Sequence, residues 1–338
     1  MVCGKRLIPH SDPSSRARIQ RVEATTTCVT GGAGFIGSHV SRALLAAGHR
    51  VIVIDDLSSG RRENVPATVE LKVLDIRSAE AARLVASSGV EILVHHAAQM
   101  DVRRSVADPR FDADVNLGGL LNLLEAARRG RVRQVVFASS GGAIYGEQDV
   151  FPADEQHPVR PLSPYGVSKL AGERYLYFYA RQYGLDATCL RYANVYGPCQ
   201  NPHGEAGVVA IFIHRLLSGG QLVINGDGLQ TRDYVYVGDV VKANLAAIGL
   251  DGFHVYNVGT GRETDVNSLY NLIHHAVGSG PAANHGPAQP GEQQRSCISA
   301  ARLERDLAVA IDTPLEQGIE KTVAWFVAQA AGDASRSG

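Results

Sequence analysis

The sequence predicts an α/β fold: a doubly wound parallel sheet followed by a smaller C-terminal α/β domain. Three observations carry this. From Thr26 onward, short apolar runs alternate with stretches of helical periodicity, the rhythm of strand–helix–strand units. The second of these runs is apolar throughout, as in a strand buried on both faces. The first run ends in a glycine turn that opens a helix, and in such sheets ligands sit at the carboxyl ends of the strands, near the switch point.

The elements follow in order. Thr26 to Thr30 is a β-rich run, and Gly31 to Gly37 is the turn. Ile36, Val40, Leu44 and Ala47 recur at helical spacing, with Gly48 as the stop. Val51 to Ile54, Val69 to Leu74, Ile92 to Val94 and Val135 to Ala138 predict four more strands, and Pro109 to Arg128 a helix between the last two. Further helices are expected near Val208 to Leu217, Asp239 to Ile248, Asp265 to Ala276 and Pro314 to Ala330, and a loop over 279–294. Residues 1–25 read as a disordered leader and 332–338 as a tail. Residues 26–190 with about 225–260 form the first domain, and about 191–224 with 261–331 the second.

Composition narrows the function. The chain has 338 residues, 45% of them apolar, enough for a two-lobed enzyme. Lys plus Arg is 33 against 34 for Asp plus Glu, so there is no basic field for nucleic acid or an anionic membrane. No segment approaches the roughly 20 apolar residues that span a bilayer. The five cysteines are scattered, with no C-x-x-C pair. That argues against disulfides or a metal site and fits a reducing, cytoplasmic setting.

The turn reads Thr30-Gly31-Gly32-Ala33-Gly34-Phe35-Ile36-Gly37. Only glycine lets backbone turn this tightly and approach a pyrophosphate, and the helix that follows offers unpaired N–H groups to it. Asp55 ends the second strand, where its carboxylate can take both adenosine ribose hydroxyls and would repel a 2′-phosphate. NAD is therefore favoured. Arg61 and Arg62 nearby leave NADP as the alternative.

Tyr165 and Lys169 stand four apart behind Pro164, which suits a first helical turn, so both fall on one helix face. A free tyrosine has a pKa near 10, and lowering it by about three units needs roughly 4 kcal/mol. A cation about 4 Å away supplies about that much at an effective dielectric of 20. Lys169 and the positive ring of oxidised NAD together could thus make Tyr165 a base. Upstream, Ser139 and Ser140 end a strand, and a hydroxyl there can donate to a substrate oxygen.

Together these residues resemble the extended short-chain dehydrogenases, and among them the UDP-glucose (UDP-galactose) 4-epimerases. The resemblance spans about 26–330, most strongly at Thr30–His39, Ser163–Glu173, Leu190–Pro198 and Thr231–Val235. It implies a Rossmann cofactor domain and a homodimer built through the helices around 109–128 and 163–184. Gly31, Gly34, Phe35, Ile36 and Gly37 would hold NAD, with Asp55 at the ribose and Asp75 and Ile76 at the adenine. Ala97, Ala98, Asn116 and Tyr192 would line the nicotinamide side. Tyr165 would be the base, Lys169 its partner and a ribose ligand, and Ser140 the hydroxyl donor, with Ser139 as the alternative. Asn194, Val209, Arg232 and Glu292, with Ser140 and Tyr165, would contact a nucleotide diphosphate sugar.

The implied reaction is 4-epimerisation of UDP-glucose and UDP-galactose, with the N-acetylated sugars also admitted by the small Ser296. One departure is Gln289, where relatives carry an Arg for the diphosphate; Arg295 is a candidate substitute. Related dehydratases and decarboxylases place an acid after the catalytic hydroxyl residue, where this chain has Gly141 and Gly142. The remaining rivals are a UDP-glucuronate 4-epimerase, a non-catalytic NAD sensor and a plain dehydrogenase.

Overall fold

The computed structural model describes residues 24–203, 207–289 and 293–336. The expected leader therefore lies outside the described residues, apart from 24 and 25. The chain runs β1 (Thr26–Thr30), α1 (Phe35–Ala46), β2 (Arg50–Asp55), β3 (Glu70–Val73), α2 (Ala79–Ser87) and β4 (Ile92–His95). Next come α3 (Val102–Ala107), α4 (Pro109–Ala113), a π turn (Asp114–Gly118), α5 (Gly119–Arg129), β5 (Gln134–Ser140) and α6 (Gly141–Tyr145). Then follow α7 (Pro164–Tyr183), β6 (Asp186–Tyr192), β7 (Asn194–Tyr196), α8 (Val208–Leu217), β8 (Val223–Asn225), β9 (Thr231–Arg232) and β10 (Tyr234–Tyr236). The last elements are α9 (Val237–Ala247), β11 (Phe253–Val258), β12 (Thr264–Asp265), α10 (Val266–Val277), β13 (Asn284–Gly286), α11 (Ala301–Leu307) and α12 (Leu315–Arg336).

Seven parallel strands form the main sheet, in the order β11-β6-β5-β4-β1-β2-β3. The strand order reverses between β1 and β4, so their carboxyl ends, Thr30 and His95, open the crevice where a ligand belongs. The sheet is buried on both faces. Val40 and Leu44 of α1 and Val240 and Ala243 of α9 cover one face. Leu120, Leu123 and Leu124 of α5 and Leu176 of α7 cover the other. The apolar runs of β1, β2 and β4 follow from this two-sided burial. A third core joins α8, α10 and α12.

Three expectations change. The helix over 109–128 exists but is interrupted by the π turn at 114–118, a feature that often marks a functional stretch. The presumed 279–294 loop contains β13, which pairs with β8. β9 pairs with β12 and β10 with β7, and within about 225–260, expected in the first domain, β11 joins the main sheet beside β6. The tail from 332 continues α12 to Arg336. Short strands that pair with distant partners carry too little local pattern to be read in advance. No helix among the described residues is long and apolar enough to cross a membrane.

Candidate active site

The cofactor edge is built first. Gly31 has φ +70°, and a Cβ there would lie 2.6 Å from the amide nitrogen of Ala97, so the turn after β1 rests directly on the loop after β4. Gly34 caps α1 without a side chain, leaving the first-turn N–H groups facing the crevice. Asp55 is buried, and its two oxygens accept from Ala33 N and Leu57 N, each at 2.9 Å. Its carboxylate thus braces the turn, and burial raises its pKa. Phe35, Ile36 and Gly37 open α1 as expected. Arg61 and Arg62 are both exposed.

Asp75 carries an ion pair: its carboxylate meets Arg77 at 2.6 Å, and Arg77 also pairs with Asp114 at 2.6 Å. Ile76 is buried and packs where a Cβ on Gly119 would stand, at 2.5 Å.

The loop after β4 is held by side chains. Asn116, in the π turn, accepts from Gln99 N at 2.9 Å and donates to Gln99 O at 2.9 Å. Asn116 and the Gln99 amide both donate to Asp112, at 3.0 and 3.1 Å. Thr30 Oγ1 accepts from Ala97 N at 3.3 Å and shares a hydrogen bond with His95 Nδ1 at 2.8 Å. Tyr192 accepts from Asn244 at 2.8 Å and shares a hydrogen bond with His96 Nε2 at 3.2 Å. His96 Nδ1 is buried without a hydrogen-bond partner. The capless glycine cradle, the braced carboxylate and the unpartnered His96 Nδ1 fit a dinucleotide lying over the carboxyl ends of β1 and β4, beside Ala97 and Ala98.

Burial, with Lys169 nearby, lowers the pKa of His95 and of His96 to about 3. Both are neutral in the fold and would bind a proton in the unfolded chain below about 6.5. The unfolded state then holds more protons, so stability falls as pH drops from about 6.5 toward 3, by up to about 1.4 kcal/mol per pH unit for each. Urea midpoints are expected to fall between pH 7 and pH 5, less steeply in His96→Phe. A variant with the wild-type pH dependence would refute this account.

The chemical residues meet at the same edge. A Cβ on Gly166 would lie 2.5 Å from the carbonyl oxygen of Ala143, so α7 begins hard against α6. That contact brings Tyr165, half-buried, beside Ser140, which also caps α6. Ser139 is excluded as the donor because it is buried and gives its proton to Glu173 at 2.7 Å. Lys169 is buried and donates to Ala138 O at 2.9 Å, its ammonium 5.7 Å from the Tyr165 ring centre. Burial lowers the Lys169 pKa to about 8, against a smaller upward pull from Asp112. Tyr165 moves the other way: burial and the Asp112 charge push its pKa well up, and the Ser140 hydroxyl offsets part of that. The expected lowering of Tyr165 counts on Lys169 together with the positive ring of bound NAD; the Lys169 ammonium is directed at the Ala138 carbonyl.

Other site residues are placed as follows. Asn194 and Ser296 converge on Gly142: a Cβ there would lie 4.0 Å from Asn194 Oδ1 and 3.7 Å from Ser296 Oγ. Arg232 is half-buried and donates to Thr231 O at 2.8 Å. The Val209 side chain is buried in the α8–α10–α12 core, so it cannot touch a ligand; only its backbone, in the first turn of α8, is available. Glu292 lies outside the described residues. Arg295, the candidate substitute for Gln289, is committed elsewhere. It pairs with Glu263 at 2.6 Å and stacks 3.8 Å over Phe151.

Sequence reasoning missed Asp112, Glu173 and Arg191. The one signal for them was helical spacing: Asp112 precedes Asn116 by four, and Glu173 follows Lys169 by four.

A glycine-cradled crevice in a doubly wound sheet, with a Tyr–Lys–Ser trio at its edge, defines an enzyme class: the short-chain dehydrogenase type. The comparisons agree in detail. Residues 27–259 match the model of the NAD dependent epimerase/dehydratase family, and the chain belongs to that family. It is 47% identical over 306 residues to a UDP-glucose 4-epimerase of Mycolicibacterium smegmatis, covering 89% of this chain and 98% of the relative. It superimposes with TM-score 0.88 and 44% identity on a UDP-glucose 4-epimerase of Thermotoga maritima solved with UDP-glucose, covering 90% of this chain and all of that one. A UDP-N-acetylglucosamine 4-epimerase of Methanobrevibacter ruminantium aligns at 33% identity and TM-score 0.86, over 91% of this chain and all of that one.

Proposed function

We propose that this enzyme interconverts UDP-glucose and UDP-galactose by transient oxidation at carbon 4 of the hexose. The observation that carries the reading is Tyr165 at the start of α7 beside Ser140 and buried Lys169, with glycines rather than an acid following Ser140. Tyr165 takes the proton of the 4-hydroxyl. Ser140 donates to the same oxygen as charge develops there. Lys169 supplies positive charge at the cofactor edge. NAD, when bound, supplies reversible hydride acceptance, so no net oxidation results.

Gly141 favours epimerisation over dehydration. A Cβ there would lie 2.6 Å from Ile298 Cδ1, and glycine at both 141 and 142 leaves no acid directly after Ser140. The diphosphate would rest on Asn194, Arg232 and the uncapped first turn of α8. The exposed Val167, Tyr175, Tyr177 and Phe178 of α7 favour a homodimer across the α5–α7 face. The cytoplasm is the compartment that suits NAD, UDP-sugars and free cysteines.

The test is incubation of purified protein with UDP-glucose and, separately, UDP-N-acetylglucosamine, with products resolved by chromatography. UDP-galactose is expected to accumulate to a constant ratio without added reductant and without sustained absorbance at 340 nm. The acetylated sugar is expected to turn over too, because Ser296 leaves the wall near Gly142 small. No product from UDP-glucose, in protein that still carries NAD, would overturn the reading, and product from UDP-glucuronate alone would replace it. Activity on UDP-glucose with none on the acetylated sugar would overturn the role of Ser296.

A further inference from the structure

Asp112 is fully buried at the end of α4, and all three of its hydrogen-bond partners are uncharged. Ser168 donates to Oδ2 at 2.7 Å, and Asn116 and Gln99 donate to Oδ1 at 3.0 and 3.1 Å. These three come from different segments: α7, the π turn and the loop after β4. Ser168 stands between Tyr165 and Lys169 in the first turns of α7. A carboxylate without an ion-pair partner costs several kcal/mol to bury, so such groups mark places where the charge itself has a use.

We propose that Asp112 is a positioning residue for the reaction: its buried carboxylate clamps α7 to the nicotinamide-side loop, and its charge acts on the Tyr165–Lys169 pair. The proposal rests on the epimerase reading above. The ionisable groups facing this region are Tyr165 and Lys169 on α7, with His95 and His96, both neutral, facing Lys169 from β4 and its loop. The arginines of α3 and α4, Arg103, Arg104 and Arg110, are exposed.

The sign is fixed by charge. A carboxylate here opposes the phenolate of Tyr165 and favours the ammonium of Lys169, raising both pKa values. Removing the charge lowers both. The limb of the kcat profile set by Tyr165 and the limb set by Lys169 then move to lower pH together.

The experiment is the pH profile of kcat for wild type and Asp112→Asn, with Asp112→Ser as a second uncharged variant should the first fail to accumulate. Both limbs are expected to shift downward by roughly one pH unit. Ser168→Ala keeps the charge but loses the clamp, and is expected to lower kcat several-fold with both limbs in place. Limbs that stay put in the uncharged variants would overturn the proposal, because a purely structural loss lowers kcat or stability without moving them. Failure of the underlying reading is distinct: the wild type itself would not epimerise, or Tyr165→Phe would keep full turnover.

Discussion

Tyr165→Phe is expected to lower kcat on UDP-glucose by about 10²–10⁴-fold, the usual contribution of a positioned acid–base group. Bound NAD should stay unchanged. The substitution removes one oxygen and keeps the ring, so α7 still packs against α6 through Gly166. What disappears is the proton acceptor beside Ser140. The glycine turn, Asp55 and Lys169 are untouched. The measurements are chromatographic turnover and the amount of NAD released on denaturation. A loss below tenfold would remove Tyr165 from the chemistry. A tenfold or greater loss accompanied by loss of NAD would mean that the hydroxyl serves binding instead. A non-catalytic NAD sensor would keep its cofactor and have no turnover to lose.

Breaking the ion pair beneath the site should have the largest effect on stability. Arg191 on β6 meets Glu173 on α7 through two bonds, Nε–Oε1 at 2.9 Å and Nη2–Oε2 at 2.6 Å, with side chains only 5% and 3% exposed. Arg191 also donates to Tyr145 at 2.9 Å, and Ser139 donates to Glu173 at 2.7 Å. Arg191→Met would leave the Glu173 carboxylate buried with only Ser139 on it, at a cost of about 3–5 kcal/mol. Arg191→Met with Glu173→Leu should recover much of that loss, because two apolar groups need no compensation. Urea denaturation of the four combinations gives the coupling directly. A single variant that loses less than 1 kcal/mol, or a double variant no better than the single, would contradict the account.

The pair also bears on the site. Glu173 lies one turn beyond Lys169, and Ser139 precedes Ser140, so the same bonds that stabilise the fold fix α7 and the end of β5 relative to each other. A weakened pair should therefore reduce kcat as well as stability.

Much of this was legible in the sequence. The runs at Thr26–Thr30 and Val51–Ile54, the glycine turn and Asp55 define the cofactor edge through local rules: apolar runs for buried strands, glycine for the tight turn, an acid at a strand end. The four-residue spacing of Tyr165 and Lys169 placed them on one helix face. Each of these depends on residues a few positions apart.

The rest depended on partners far along the chain. Ser139 and Ser140 are alike in sequence, and consecutive strand residues leave in different directions. Only the packed structure decides that Ser139 faces Glu173 and Ser140 faces Tyr165. Arg295 looked free to replace the missing arginine at 289 until Glu263, 32 positions away, was found to hold it. Val209 read as a ligand contact, but its side chain belongs to a core shared by three helices. Asp112 carries no motif, because its importance comes from burial and from Ser168, 56 positions away. Local pattern fixes which residues can form a strand, a turn or a helix face. Tertiary packing alone sets which polar groups lose water together, and that loss gives a buried charge its effect on the site.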